Sequence, residues 1–196
     1  MINLAVFASG SGSNAENLIR YFDGHPKIRV NLVLSNKSDA LVLQRAERLN
    51  VPAVTFNKND FYHSDNVLKI LSDYQIDGVV LAGFLWLIPD NLLKTFPQRI
   101  LNIHPALLPR YGGKGMYGRY VHEAVVANGE KETGITIHLV NAEYDKGKIL
   151  FQARCPVLPD DTSETVAAKV HALEYQHFPI IVEQWGKRIS SSTCNV

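Results

Sequence analysis

The chain has 196 residues, enough for one domain with a substantial core. Hydrophobic residues make up 46% and charged residues 20%, and 20 basic against 19 acidic side chains leave a net charge of +1. That balance is ordinary for a globular protein and argues against a nucleic-acid binder, while leaving room for a local anion site. No apolar run approaches the length of a membrane-spanning helix, so no membrane partner is expected. The opening "MINLAVFASG" reads as a first strand rather than a signal peptide. The two cysteines, Cys155 and Cys194, lack a CxxC spacing, which argues against a disulfide framework or a zinc site and for a reducing, cytoplasmic home.

Residues 3–9, "NLAVFAS", predict a buried strand closed by the turn "GSGSN". Helical spacing follows over 14–23, where Leu18, Ile19 and Phe22 share a face. A strand is expected at 30–36, then a helix over "ALVLQRAERLN" with Asp39 as its cap, and a third strand at 52–56. One helix is expected over 60–74, with Asp60 or Ser64 near its start. A fourth strand at 77–83 is followed by the short helix "PDNLLKTF" with proline in its first turn, and a fifth strand at 99–103. Strands alternating with helices through short loops predict an open, mostly parallel α/β sheet with helices on both faces, of Rossmann-like type.

After residue 117 the pattern changes. "RYVHEAVVANG" predicts a helix stopped by Gly129, and "TGITIHLV" and "KILFQARCPV" an antiparallel strand pair. A long C-terminal helix runs on from Thr162 or Ser163 as cap, with Pro179 inside it. Residues 1–188 are expected to form a single domain, and 189–196 a frayed polar tail.

Three stretches carry polar groups suited to chemistry. Gly10, Ser11, Gly12, Ser13 and Asn14 lie at a strand-to-helix turn, where free N–H groups and the helix dipole make an anion site and glycines let a phosphate come close. The bland reading is a tight turn alone. A dinucleotide fingerprint is missing: Ala15 stands at the third glycine position, and the second strand ends in Asn36 and Lys37 rather than an acid. A single phosphate monoester fits better. The second stretch is "ILNIHPALLP", residues 100–109, where Asn102 and His104 fall on one side of a strand end and Pro105 and Pro109 stiffen the loop after it. Its bland reading is a histidine bonded to backbone. The third is "HLVNAEYDKGKIL", whose Asp145 sits in a turn of ordinary turn composition. If that turn folds over the sheet edge, the Asp145 carboxylate reaches His104 and raises its pKa, giving an acid–base group for neutral pH. The apolar run Leu85, Trp86, Leu87 and Ile88 reads as core or as the wall of a slot for a flat ring.

Taken in order, "ASGSGSN", "VLSNK", "LAGF", "LNIHPALLP", "TGITIHLV" and "YDKGKIL" resemble the phosphoribosylglycinamide formyltransferase family, over residues 3 to about 185. "NIHPxLLP" is shared by formyltransferases broadly, and "SGxGSN" is more specific to the glycinamide branch. The resemblance implies transfer of a formyl group from the co-substrate 10-formyltetrahydrofolate to the amine of glycinamide ribonucleotide in purine biosynthesis, without a metal, by a monomer or homodimer. It implies catalytic roles for Asn102, His104 and Asp145. It gives the ribose phosphate to Gly10–Asn14, the ribose hydroxyls to Glu174, and a folate border to Leu85–Ile88 with Asn102. His122 corresponds to a family histidine near the active site, and the glycines and Lys114 of residues 112–118 make a loop longer than usual, a candidate lid. Trp86 stands where some relatives have arginine, and the stretch at 57–66 is shorter, so contacts to the distal part of the folate are expected to differ. The alternative activity is hydrolysis of formyltetrahydrofolate, which needs the same Asn, His and Asp. A phosphate-binding module would need only Gly10–Asn14.

Overall fold

The computed structural model describes residues 1–192, with side chains described through Ile189. Among these residues seven strands form one sheet in the order β3-β2-β1-β4-β5-β6-β7. The strands are β1 (Ile2–Phe7), β2 (Ile28–Ser35), β3 (Ala53–Thr55), β4 (Gly78–Leu81), β5 (Ile100–His104), β6 (Glu132–Leu139) and β7 (Ile149–Pro156). The first five run parallel. β6 is antiparallel to both of its neighbours. The mostly parallel sheet with an antiparallel C-terminal pair is the architecture the strand–helix alternation predicts.

Both faces are covered, and the strand alternation shows how. In β1, Leu4 and Val6 enter one core and Ala5 and Phe7 the other. The first core takes apolar faces from α1 (Ser13–Tyr21), α2 (Leu41–Arg48), α6 (Arg119–Ala127) and α7 (Ser163–Ser192), through Leu18, Val42, Val125 and Phe178 among others. The second takes α3 (Lys58–Tyr62), α4 (Asn66–Asp73) and α5 (Asp90–Thr95), through Phe61, Leu71 and Leu92. Strands buried on both faces have no polar side to show, which is why their sequences read as continuous apolar runs.

Two local expectations need correction. Asp39 does not cap α2; Ala40 occupies the cap, because the turn in which its N–H reaches the Lys37 carbonyl brings the helix in one residue later. The single helix over 60–74 is two. An Asn57–Asp60 capping box opens α3 early, and the Ser64, Asp65 and Asn66 side chains then compete for backbone and neighbouring groups until α4 begins. Pro179 lies inside α7, which continues past it to Ser192. Ile189, where the polar tail was expected to begin, is buried in the first core, and the last four residues of that stretch, 193–196, lie outside the described residues. Thr162 does act at the start of α7, accepting from the Thr165 N–H at 3.4 Å.

Candidate active site

The sheet order reverses between β1 and β4, and in open α/β sheets ligands bind beyond the carboxyl ends of the strands at such a point. A cavity of about 670 Å³ opens there. Its wall is built from the turn after β1 (Ser9–Asn14), the turn after β4 (Ala82–Leu85), the end of β5 (Asn102–Pro105), the 113–118 loop, and Tyr144 with Asp145.

The glycine-rich turn is pinned from three sides. The Arg45 Nε donates to the Ser11 carbonyl at 2.8 Å, the Val42 N–H to the Gly10 carbonyl at 3.2 Å, and the Ser9 hydroxyl accepts from the Leu85 N–H at 3.1 Å. Gly12 caps α1 with a φ of 73°, and a Cβ there would fall 2.4 Å from the Val42 side chain. Gly10 is different: a Cβ would meet nothing within 4 Å. One glycine satisfies the backbone and its packing, and the other keeps the cavity open. Lys37, at the end of β2, faces the same space.

β5 delivers Asn102 and His104 to the cavity from one side of the strand, and the turn after β6 brings Asp145 against both. The Asp145 Oδ2 lies 3.6 Å from the His104 Nδ1, and its Oδ1 accepts from the Asn102 amide at 3.4 Å. The Gly113 N–H donates to Oδ2 at 2.9 Å, so the carboxylate also ties down the 112–118 loop. Gly112 is needed for this approach, since a Cβ there would strike Leu108 and crowd Asp145. Asp145 itself adopts a φ of 56°, a conformation Asp and Asn tolerate better than most residues. The juxtaposition that the sequence left conditional is present.

His104 is 3% exposed, and its Nε2 donates to the Tyr111 carbonyl at 2.7 Å. A carbonyl only accepts, so Nε2 carries the proton and the Nδ1 lone pair faces Asp145. The expected rise in its pKa is overturned. Burial pushes His104 down, and the Asp145 charge and the Tyr111 carbonyl only partly offset it. The imidazole is therefore neutral at rest. Asp145 is ionised: burial works against its charge, but contacts with His138, His104 and the Gly113 N–H outweigh it and leave the carboxyl below its ordinary range.

His138 is a member of the cluster that motif reading missed. Its Nδ1 donates to the Leu139 carbonyl at 2.8 Å, which leaves Nε2 free to accept from the Asn102 amide at 3.0 Å. The ring thus sets the orientation of Asn102. The signal was in β6, where Thr136 and His138 alternate with Ile135, Ile137 and Leu139 and lie opposite His104 and Asn102 of β5. Thr136 holds the loop after His104 by accepting from the Leu108 N–H and donating to the Ala106 carbonyl.

At the other end of the cavity the Asn14 amide donates to the Glu174 carboxylate at 2.8 Å. Glu174 is 5% exposed, and burial raises its pKa against the opposing effects of Asn14 and His171. It is no solvated helix residue. The apolar run after β4 is only partly as expected. Leu85 lines the cavity, but Ile88 is buried in the second core and Trp86 packs among Phe56, Phe61, Tyr62 and Phe84. Trp86, Leu87 and Ile88 do not line this cavity.

This arrangement can bind a phosphate at one end and activate an amine at the other. Residues 2–182 match the family described as formyl transferase. The chain belongs to the formyl transferase family. It is 42% identical over 185 residues to the chloroplastic phosphoribosylglycinamide formyltransferase of Arabidopsis thaliana, covering 91% of this chain and 63% of the plant protein. With the phosphoribosylglycinamide formyltransferase of Haemophilus influenzae it shares 35% identity over 93% of this chain and 86% of the other. The crystal structure of glycinamide ribonucleotide transformylase 1 from Symbiobacterium toebii superposes with a TM-score of 0.86 at 34% identity, over 95% of this chain and 88% of that one. The chain thus spans less than two thirds of the plant relative's length.

Proposed function

We propose that this formyl transferase moves the formyl group of 10-formyltetrahydrofolate to the amine of 5'-phosphoribosylglycinamide, a step of purine biosynthesis. The observation that carries the reading is the convergence of Asn102, His104 and Asp145 at one end of a cavity whose other end is the Gly10–Asn14 turn. A phosphate binder needs the turn alone. The names of relatives that match nearly the whole chain favour the glycinamide substrate over simple hydrolysis.

In this reading the phosphate sits on the backbone N–H groups of Gly10–Asn14 with Lys37 nearby, and Glu174 with Asn14 takes the ribose hydroxyls. The folate enters past Leu85, with its formyl group between Asn102 and His104. The amine attacks the formyl carbon, and negative charge develops on the formyl oxygen. The Asn102 amide meets it, exchanging its long bond to Asp145 for the oxyanion while His138 keeps the amide aimed. The neutral His104 Nδ1 takes a proton from the attacking nitrogen. The imidazolium so formed is held by the Tyr111 carbonyl and the Asp145 charge. It then returns the proton to folate N10 as the C–N10 bond breaks, leaving formylglycinamide ribonucleotide and tetrahydrofolate. Much of the acceleration is alignment of two bound reactants. The half-buried, free Cys155 suits a reducing compartment, and we assign the reaction to the cytoplasm, by a monomer or homodimer.

The test is folate release from 10-formyltetrahydrofolate by purified protein, with and without glycinamide ribonucleotide. Release that depends on the ribonucleotide supports the transferase. Equal release without it supports hydrolysis instead.

A further inference from the structure

His122 is the second buried histidine of the cavity, and neither the phosphate turn nor the formyl-transfer cluster accounts for it. It sits in the first turns of α6, just after the 113–118 loop, and its neighbour Val121 goes into the core. The ring is 2% exposed, yet it borders the cavity, and its Nδ1 finds no hydrogen-bond partner among the described residues. An unpaired polar atom in such a place is costly, so a fold keeps one where something else supplies the partner. Burial, followed by the neighbouring His171 and His104 imidazoles, pushes His122 down to about 4. Its position at the start of a helix works in the same direction. The ring is therefore neutral at physiological pH, with one donor and one acceptor.

Its surroundings say which part of a ligand it meets. On one side is His104, the reacting end. On the other is His171 of α7, edge-on with ring centroids 6.4 Å apart, and one turn further Glu174, the ribose end. The substrate proposed above has a phosphate, a ribose, a carboxamide and an amine in that order. The piece between ribose and amine is the carboxamide, which is uncharged and presents one N–H and one C=O. A neutral imidazole is matched to such a group, and a charged side chain would be a poor one, since a salt-bridge partner is absent from this substrate segment.

We propose that His122 is a substrate-binding residue that recognises the carboxamide of the glycinamide nucleotide and sets the distance between its ribose and its reacting amine. This rests on the proposed transfer activity.

The experiment compares wild type, His122→Ala and His122→Gln by steady-state kinetics in both substrates, with calorimetric binding of glycinamide ribonucleotide alone. The expected result for His122→Ala is a KM and Kd for the ribonucleotide raised about five- to tenfold, the scale of one hydrogen bond, with the loss in KM rather than kcat. The folate KM should stay at the wild-type value. His122→Gln, which keeps a donor and an acceptor, should recover most of the loss. Unchanged ribonucleotide affinity in folded His122→Ala overturns the proposal, as does a loss confined to kcat, which would make His122 part of the proton path. Wild-type protein that neither binds nor formylates the ribonucleotide refutes the transferase reading, and this inference with it. Wild-type turnover with an unaffected His122→Ala refutes the inference alone.

Discussion

Asp145→Asn isolates the charge at the centre of the cluster. Asn keeps the size of the side chain, tolerates the φ of 56°, and can still accept from the Gly113 N–H. What is lost is one negative charge 3.6 Å from the His104 Nδ1, where a proton arrives during the reaction. At an effective dielectric of about 20, two unit charges at that spacing attract by roughly 4–5 kcal/mol. The imidazolium exists only after the amine begins to attack, so the loss falls on the transition state and not on the bound substrates. Each ~1.4 kcal/mol is tenfold in rate, which gives a fall in kcat of about a thousandfold. The assay follows folate product by absorbance at saturating substrates, with ribonucleotide binding measured in parallel and expected to change little. Asp145→Asn turning over within about tenfold of wild type would mean that the carboxylate does not stabilise a charged His104, and the proton path derived above would be wrong.

Other consequences can be checked with ordinary assays. Because burial holds His104 below the usual 6.5, its neutral, base-competent form persists to lower pH. Then kcat/KM should stay flat through neutrality and fall only as pH drops through that lowered value; an acid limb centred above 7 would contradict the assignment. Gly12→Ala, which combines a positive φ with a clash against Val42, should cost about 2–4 kcal/mol and lower the Tm by several degrees. Gly10→Ala has room for its methyl group and should leave the Tm alone while weakening ribonucleotide binding, a pair of outcomes visible by calorimetry. His138→Leu removes the acceptor that aims Asn102 and should lower kcat about ten- to a hundredfold with ribonucleotide affinity kept; an unchanged kcat would show that Asn102 needs no such support.

The fold was legible because strands and helices of this chain differ sharply in pattern. The runs in β1, β4 and β5 are too short for helices and too apolar for a solvated sheet, so a parallel sheet with two covered faces is the natural answer. Misreadings arose where side chains compete with backbone: Ser64, Asp65 and Asn66 break a helix that apolar spacing alone would carry through. In the site, Asn102 and His104 announced themselves as polar groups at a strand end. His138 did not, since its partner strand is 36 residues away and only the antiparallel register pairs it with Asn102. The direction of the His104 pKa also lay beyond the sequence, because neighbours can be guessed from motifs but the depth of burial cannot. Leu85–Ile88 shows the converse: four adjacent apolar residues look alike in sequence, and only the turn after β4 decides that Leu85 faces the cavity while Ile88 enters the core.

The most direct test follows the formyl carbon itself. Purified protein is given 10-formyltetrahydrofolate labelled in the formyl group together with glycinamide ribonucleotide, and the products are separated. The account predicts label in the ribonucleotide, one formyl for each tetrahydrofolate released, and none of this with His104→Ala. Label recovered as free formate, or transfer that survives the loss of His104, would contradict it.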